Sequence, residues 1–374
     1  MNRTRCRTFG ESAGRWGHAA GFAAAFGLVA ALAPACARAG ASASIRLAAE
    51  TTQLPSTPIP IAPLHRRSDG SLEVVTPKGE KTEGVDVCTR HALCVGAGQA
   101  YPSLTAALAA AKAGDTIEIV AGTYRESAKI ALKNVTVRGV GGRPHFDCKG
   151  MALADDLACL VVGASGVTLE ELEISGAAVP IEGGGLAACV RNEPNLSFAL
   201  KRITCHASQN GVIANGGDIV IEDSEFYENG GTREMSNASF LGKCTVTVRG
   251  STFRDTRIGD EFRSRCKTTR ISDSTFRSTA GALDLDISDG GDALVYRSTL
   301  TKNANAASEM IIGFASDSCV DPGDLVLKDV HIVNSHPNAK ITNFGKCDGR
   351  AIVMQGVTVD GLPLKEFGYV YTRQ

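Results

Sequence analysis

Ile219-Val-Ile-Glu-Asp-Ser-Glu-Phe226 decides the reading of this chain, because versions of it return. Val246-Thr-Val-Arg-Gly-Ser-Thr-Phe253, Ile271-Ser-Asp-Ser-Thr-Phe276, Leu294-Val-Tyr-Arg-Ser-Thr-Leu300, Leu325-Val-Leu-Lys-Asp-Val-His-Ile332 and Ile352-Val-Met-Gln-Gly-Val-Thr-Val359 repeat its plan. Alternating apolar residues lead into two or three polar ones, and a large apolar anchor closes the phrase. The anchors Phe226, Phe253, Phe276, Leu300, Ile332 and Val359 stand 27, 23, 24, 32 and 27 residues apart. A period of that size marks stacked units, none of which can bury its apolar face alone. Further coils are expected at Val135-Thr-Val-Arg138, from Val167 to Ile174 and from Phe198 to Cys205, about ten in all.

Composition agrees. The 374 residues carry a formal charge of −1, which gives no electrostatic ground for nucleic-acid binding. Aromatic residues are 5% of the chain and glycines number 41, as suits a narrow core with tight corners. Residues 1–39 read as a secretory signal: basic Arg3, Arg5, Arg7 and Arg15, an apolar run from Ala19 to Leu32, and the small-x-small site Ala37-Arg-Ala39. Lipidation at Cys36 is the alternative. The apolar run is short for a membrane span, and no other segment reads as one. Residues 40–87 read as an extended linker rich in Ala, Thr, Pro and Ser, and 88–374 as one solenoid domain, an exported monomer, periplasmic or extracellular.

Of 12 cysteines, Cys6 and Cys36 leave with the signal, and the even remainder suggests disulfides. Cys244 and Cys266 are 22 residues apart where the period is 23, and Cys319 and Cys347 are 28 apart where it is 27. Each pair should lie within a residue of being stacked on adjacent coils, close enough to bridge. Cys88–Cys94 and Cys148–Cys159 would close short loops, leaving Cys189–Cys205. Buried free thiols are the alternative.

Before the coils, Tyr101-Pro-Ser-Leu-Thr-Ala-Ala-Leu-Ala-Ala-Ala-Lys-Ala-Gly114 predicts a helix with Ser103 as N-cap and Gly114 as its stop. Laid before the first strand, it would cover the open end of the solenoid. This segment, followed by Asp115-Thr-Ile and Ala121-Gly-Thr-Tyr124, resembles the opening of right-handed parallel β-helix proteins of the pectate-lyase type. The resemblance spans roughly residues 95–362. It implies an all-β solenoid and a groove that binds or cuts acidic polysaccharide. Lyases of this type abstract a proton α to a uronate carboxyl, which needs a base and a positive group to hold the carboxylate.

The segments Asn237–Gly242, Glu261–Arg265, Leu283–Ile287 and Glu309–Gly313 form the candidate site. If Phe262, Leu283, Leu285 and Ile287 face inward, alternation turns Glu261, Arg263, Arg265, Asp284 and Asp286 outward. Arg263 and Asp286 are 23 residues apart, one coil, and so become neighbours. These segments also resemble a bacterial β-helix subgroup whose strands read His-Asn-Ile-Tyr-Val-Gly, then Phe-Lys-Ser-Arg, then Glu-x-Asp-x-Pro-x-Gly-Gly. Phe262, Ser264, Arg265, Asp286, Gly290 and Gly291 match, and Asp284 replaces the Glu. Asn237, Phe240 and Arg263 stand where that subgroup has His, Tyr and Lys, the groups suited to acid–base work near neutral pH.

The expectation is therefore polysaccharide recognition on a face of Asn237, Glu261, Arg263, Arg265, Asp284 and Asp286. Catalysis by a lyase and a purely structural role are the alternatives, as is a plain Arg–Asp ladder across strands. No cofactor is expected. Asp284, Asp286 and Asp289 could form a Ca²⁺ site, with the adjacent arginines opposing it. His206 reads as a structural residue, and no metal-spaced histidine cluster is visible.

Overall fold

The computed structural model describes residues 64–66, 72–74, 87–180, 186–231, 235–316, 320, 323–344 and 352–365. The expected signal, most of the expected linker, and Cys319 with Cys347 lie outside the described residues. The chain divides into two units, residues 1–78 and 79–374. In the first, Leu64–Arg66 pairs antiparallel with Leu72–Val74, a short ladder inside the stretch read as linker.

The second unit is a parallel β-helix. Among the described residues, an inner coil contributes three strands. Two join an 18-stranded sheet and the third, carrying the anchor, joins a ten-stranded sheet, which matches the expected ten coils. One coil comprises the long strand Ala238–Arg249, which bends round a corner to serve as two strands, and Thr252–Arg254. The next has Phe262–Ser264, Thr268–Ser272 and Thr275–Ser278, and the next Leu285–Ile287, Asp292–Tyr296 and Thr299–Lys302.

The anchors are in register as the spacing predicts. Phe226 pairs with Phe253, Phe253 with Phe276, Phe276 with Leu300, Leu300 with Ile332, and Ile332 with Val359. Stacking at one coil per level lets identical rings lie face to face. Phe226, Phe253 and Phe276 stack at 5.0 and 5.1 Å with their planes 2° apart. Phe262 meets Phe253 and Phe276 edge-on from the opposite wall. All four rings are fully buried in a core that runs continuously through the coils.

The polar middle of the phrase makes the corner before each anchor. Glu171, Arg202, Asp223, Gly250, Asp273, Arg297, Asp329 and Gly356 hold equivalent positions with φ between +43° and +63°. The chain must reverse in one residue there, a left-handed conformation easy for Gly and tolerated by Asp. After Asp223, Gly250, Asp273 and Arg297 the next residue is a buried serine, and these four serines form a ladder. Ser251 Oγ accepts from the Ser224 N–H of the coil before and donates to the Arg249 carbonyl, while the Ser251 N–H donates to Ser274 Oγ of the coil after. Ser298 continues the series. Ser251→Ala strands the buried Ser224 N–H, so we expect a loss of about 1–3 kcal/mol, read as a lower urea midpoint at unchanged slope.

The predicted helix forms over Leu104–Ala110, and the Ser103 side chain accepts from the Ala106 N–H as its N-cap. It stops earlier than expected: Ala111 is extended and serves as C-cap, and Gly114 (φ +89°) belongs to the following turn. Leu104 and Ala107 bury into the core. Four expected disulfides are present, Cys88–Cys94, Cys148–Cys159, Cys189–Cys205 and Cys244–Cys266. The last joins adjacent coils with its Cα atoms 4.6 Å apart, as the coil period requires.

Candidate functional site

The strands Ala238–Arg249, Phe262–Ser264, Leu285–Ile287 and Met310–Phe314 stack on successive coils. Phe262 and Ser264 point into the core and Arg263 points out, and Arg263 pairs with Asp286 one coil on, as predicted. Arg263 donates to Asp260 (2.8 Å) and Asp286 (3.1 Å). Arg265 grips both oxygens of Asp286 at 3.0 and 2.9 Å and lies 3.5 Å from Asp289. Asp286 thus sits under two guanidiniums and accepts from Ser288 as well. Burial would raise its pKa, but the Arg265 hydrogen bonds and charge hold it below the ordinary carboxylate range. Asp260 goes the other way, pushed up to about 6 by burial and by the charge of Asp286.

Three of the expected site residues do not reach this face. Asn237, Glu261 and Asp284 are fully buried, not outward. Alternation holds only inside a strand, and Phe262–Ser264 and Leu285–Ile287 are three residues long. Glu261 and Asp284 precede those strands at a corner, where the turning backbone points both side chains inward. Leu283, expected inward, is half-buried there instead. Glu261 accepts from Thr256 Oγ1 and from Asn237 Nδ2, both at 2.6 Å. Asn237 in turn accepts from Asn229 Nδ2 and donates to the Arg254 carbonyl. Asp284 accepts from the Ser278 N–H, and its other oxygen has no partner among the described residues. Lys302 lies buried in the same corner, its ammonium on the Ala282 carbonyl at 2.6 Å.

Low dielectric dominates this corner. Burial pushes the Glu261 carboxyl up to about 8 and the Asp284 carboxyl up to about 7, the latter against the pull of Lys302. The Lys302 ammonium is pushed down by burial despite Asp284, Glu261 and Asp260. The two carboxyls titrate near neutrality, as a catalytic base would, yet they are sealed from any polymer. Nor do the three residues considered for Ca²⁺ share a face: Asp284 is interior, while Asp286 and Asp289 lie against Arg265.

Beside the Arg265 end of the patch a groove of about 640 Å³ opens along four coils. It follows the corner between the two strands of the long sheet. Lys243, Lys267, Arg265, Asp218, Asp289 and Thr245 line it, and the Cys244–Cys266 disulfide underlies it. Lys243 and Lys267 are exposed, and neither forms an ion pair with a described residue. These two lysines are absent from the sequence-based candidates. The signal for them was present: each lies one residue from a cysteine of the inter-coil bridge.

Neither a family model nor a curated protein matches the chain. Solved structures do. Pectate lyase Pel9A is 14% identical over 72% of this chain and 74% of its own, with a TM-score of 0.50. A pectin methylesterase from Yersinia enterocolitica is 14% identical over 71% and 92% (TM-score 0.43), and the catalytic domain of a GH87 alpha-1,3-glucanase 13% over 76% and 61% (TM-score 0.42). The fold is thus the right-handed parallel β-helix of the pectate-lyase type, as the opening segment implied.

Proposed function

We propose that this is an exported protein that recognises an acidic polysaccharide in the groove lined by Lys243, Lys267 and Arg265. The observation that carries it is the pair of exposed lysines, without acidic partners among the described residues, on successive coils of an open groove. A chain of regularly spaced carboxylates lying along the solenoid axis would meet one ammonium per coil. Thr245, Asp218 and Asp289 add hydroxyl and carboxylate partners for sugar hydroxyls. The four disulfides suit an oxidising compartment outside the cytoplasm.

Binding is favoured over cleavage by where the titrating groups lie. Glu261 and Asp284 are interior, and Asp260, though beside Arg263, is 3% exposed and held by Arg263 and the Leu283 N–H. The analogy with carbohydrate-active β-helices is one of fold and does not carry activity.

Affinity electrophoresis of the mature protein through gels containing a polyuronate or a neutral glucan tests the reading. We expect retardation by the polyuronate, weakening with salt as exposed charges are screened, and its loss in the Lys243→Ala/Lys267→Ala double variant. Equal mobility in all gels, or unchanged retardation of the double variant, would overturn the proposal. Both substitutions are at exposed positions, so the fold should survive them.

A further inference from the structure

The ten-stranded sheet carries a second constellation, on its outward face and away from the groove. His145 precedes the anchor Phe146, Glu173 precedes the anchor Ile174, and His206 follows the anchor Cys205, so the three project from consecutive coils. They are 28 and 33 residues apart, a spacing no local motif would show but which the coil period folds into one cluster.

His206 Nε2 lies 3.0 Å from Glu173 Oε1, and His145 Nε2 lies 3.9 Å from the same oxygen. One ligand atom from each residue falls within 4.8 Å of the other two. In a tetrahedral zinc shell, with ligands about 2.0–2.2 Å from the ion, neighbouring ligand atoms sit about 3.3 Å apart. The observed distances bracket that value, and a small rotation of His145 would close the longer one. His145 Nε2 now meets the Ser175 hydroxyl at 2.8 Å, a contact it would exchange for the ion. The His206 ring is already oriented. It stacks on Tyr227 at 4.9 Å with the planes 6° apart, and the Arg254 guanidinium covers the far side of Tyr227. Two imidazoles and a carboxylate suit a borderline transition metal better than Ca²⁺ or Mg²⁺, which take oxygen ligands.

We propose that His145, Glu173 and His206 form a three-ligand site for a divalent transition-metal ion such as Zn²⁺, pinning three coils of the solenoid and leaving at least one coordination position open to solvent. His145 and His206 supply Nε2, and Glu173 supplies Oε1. The site differs in sheet, ligand chemistry and occupant from the lysine groove, so either can stand without the other.

The test is calorimetric titration of ZnCl₂ into tag-free mature protein freed of metal with a chelator, paired with a thermal melt. One equivalent should bind, and a hundredfold excess over Kd should raise the Tm by several degrees. Glu173→Gln, nearly isosteric at a half-exposed position, should weaken binding at least tenfold, and His206→Ala should abolish it. His336→Ala, elsewhere on the chain, should bind as the parent does. Absence of one-equivalent binding, or binding unchanged in both Glu173→Gln and His206→Ala, would overturn the site. Should His206→Ala fail to fold, Glu173→Gln alone decides.

Discussion

Phe253→Ala is expected to cost about 3–5 kcal/mol of stability, the range for truncating a buried aromatic ring. In a domain of this size that lowers the melting temperature by roughly 10 °C. The reason is position. Phe253 is the middle ring of the face-to-face stack, with Phe226 and Phe276 each about 5 Å away and Phe262 edge-on at 5.5 Å. Its removal strips contacts from three aromatic neighbours at once and opens a void between coils that the ladder hydrogen bonds prevent from collapsing. Val359, the last anchor, is 36% exposed. Val359→Ala should cost less than about 1 kcal/mol, which makes it the control in the same denaturant series. Equal losses at the two positions would contradict the stacked register.

Lys302→Met should be the second large effect, and it should depend on pH. In the parent, the Asp284 and Glu261 carboxyls are raised to about 7 and about 8, above their values of 3.8 and 4.5 in an open chain. The folded state therefore holds more protons than the unfolded state across that window. The stability these groups contribute is fully present below about pH 4 and is lost as pH rises through 7 and 8. Lys302 is the cation that offsets the Asp284 charge once it forms. At pH 5 both acids are protonated, and replacing Lys302 should cost little beyond its hydrogen bond to the Ala282 carbonyl. At pH 8 the loss should be clearly larger, because the buried Asp284 charge then loses the cation that offsets it through space. Urea midpoints of parent and variant at the two pH values check this, and a loss equal at both would show that Lys302 does not act on these carboxyls.

The architecture was legible because it depends on period, and period survives in sequence. The anchors and the Cys244–Cys266 bridge both follow from counting residues per coil. The site was only half legible. Arg263 and Asp286 emerged because their strand positions obey alternation, and Arg265, one residue past its strand, still points outward, whereas Glu261, Asp284 and Asn237 sit at corners where one turning residue reverses the direction of a side chain. Burial at such corners depends on what the adjacent coils place there: Asn229, Thr256 and Lys302, which arrive from other turns. Likewise, His206 reads as a solitary histidine until the coil register sets it beside His145 and Glu173.

The most direct test of the functional account is size-exclusion chromatography with light scattering on a polyuronate incubated with the mature protein. The protein should coelute with the polymer at low salt, the polymer mass should stay constant over hours, and Lys243→Ala/Lys267→Ala protein should elute alone. Protein and polymer eluting independently would contradict recognition, and a falling polymer mass would show that the chain cuts what it binds.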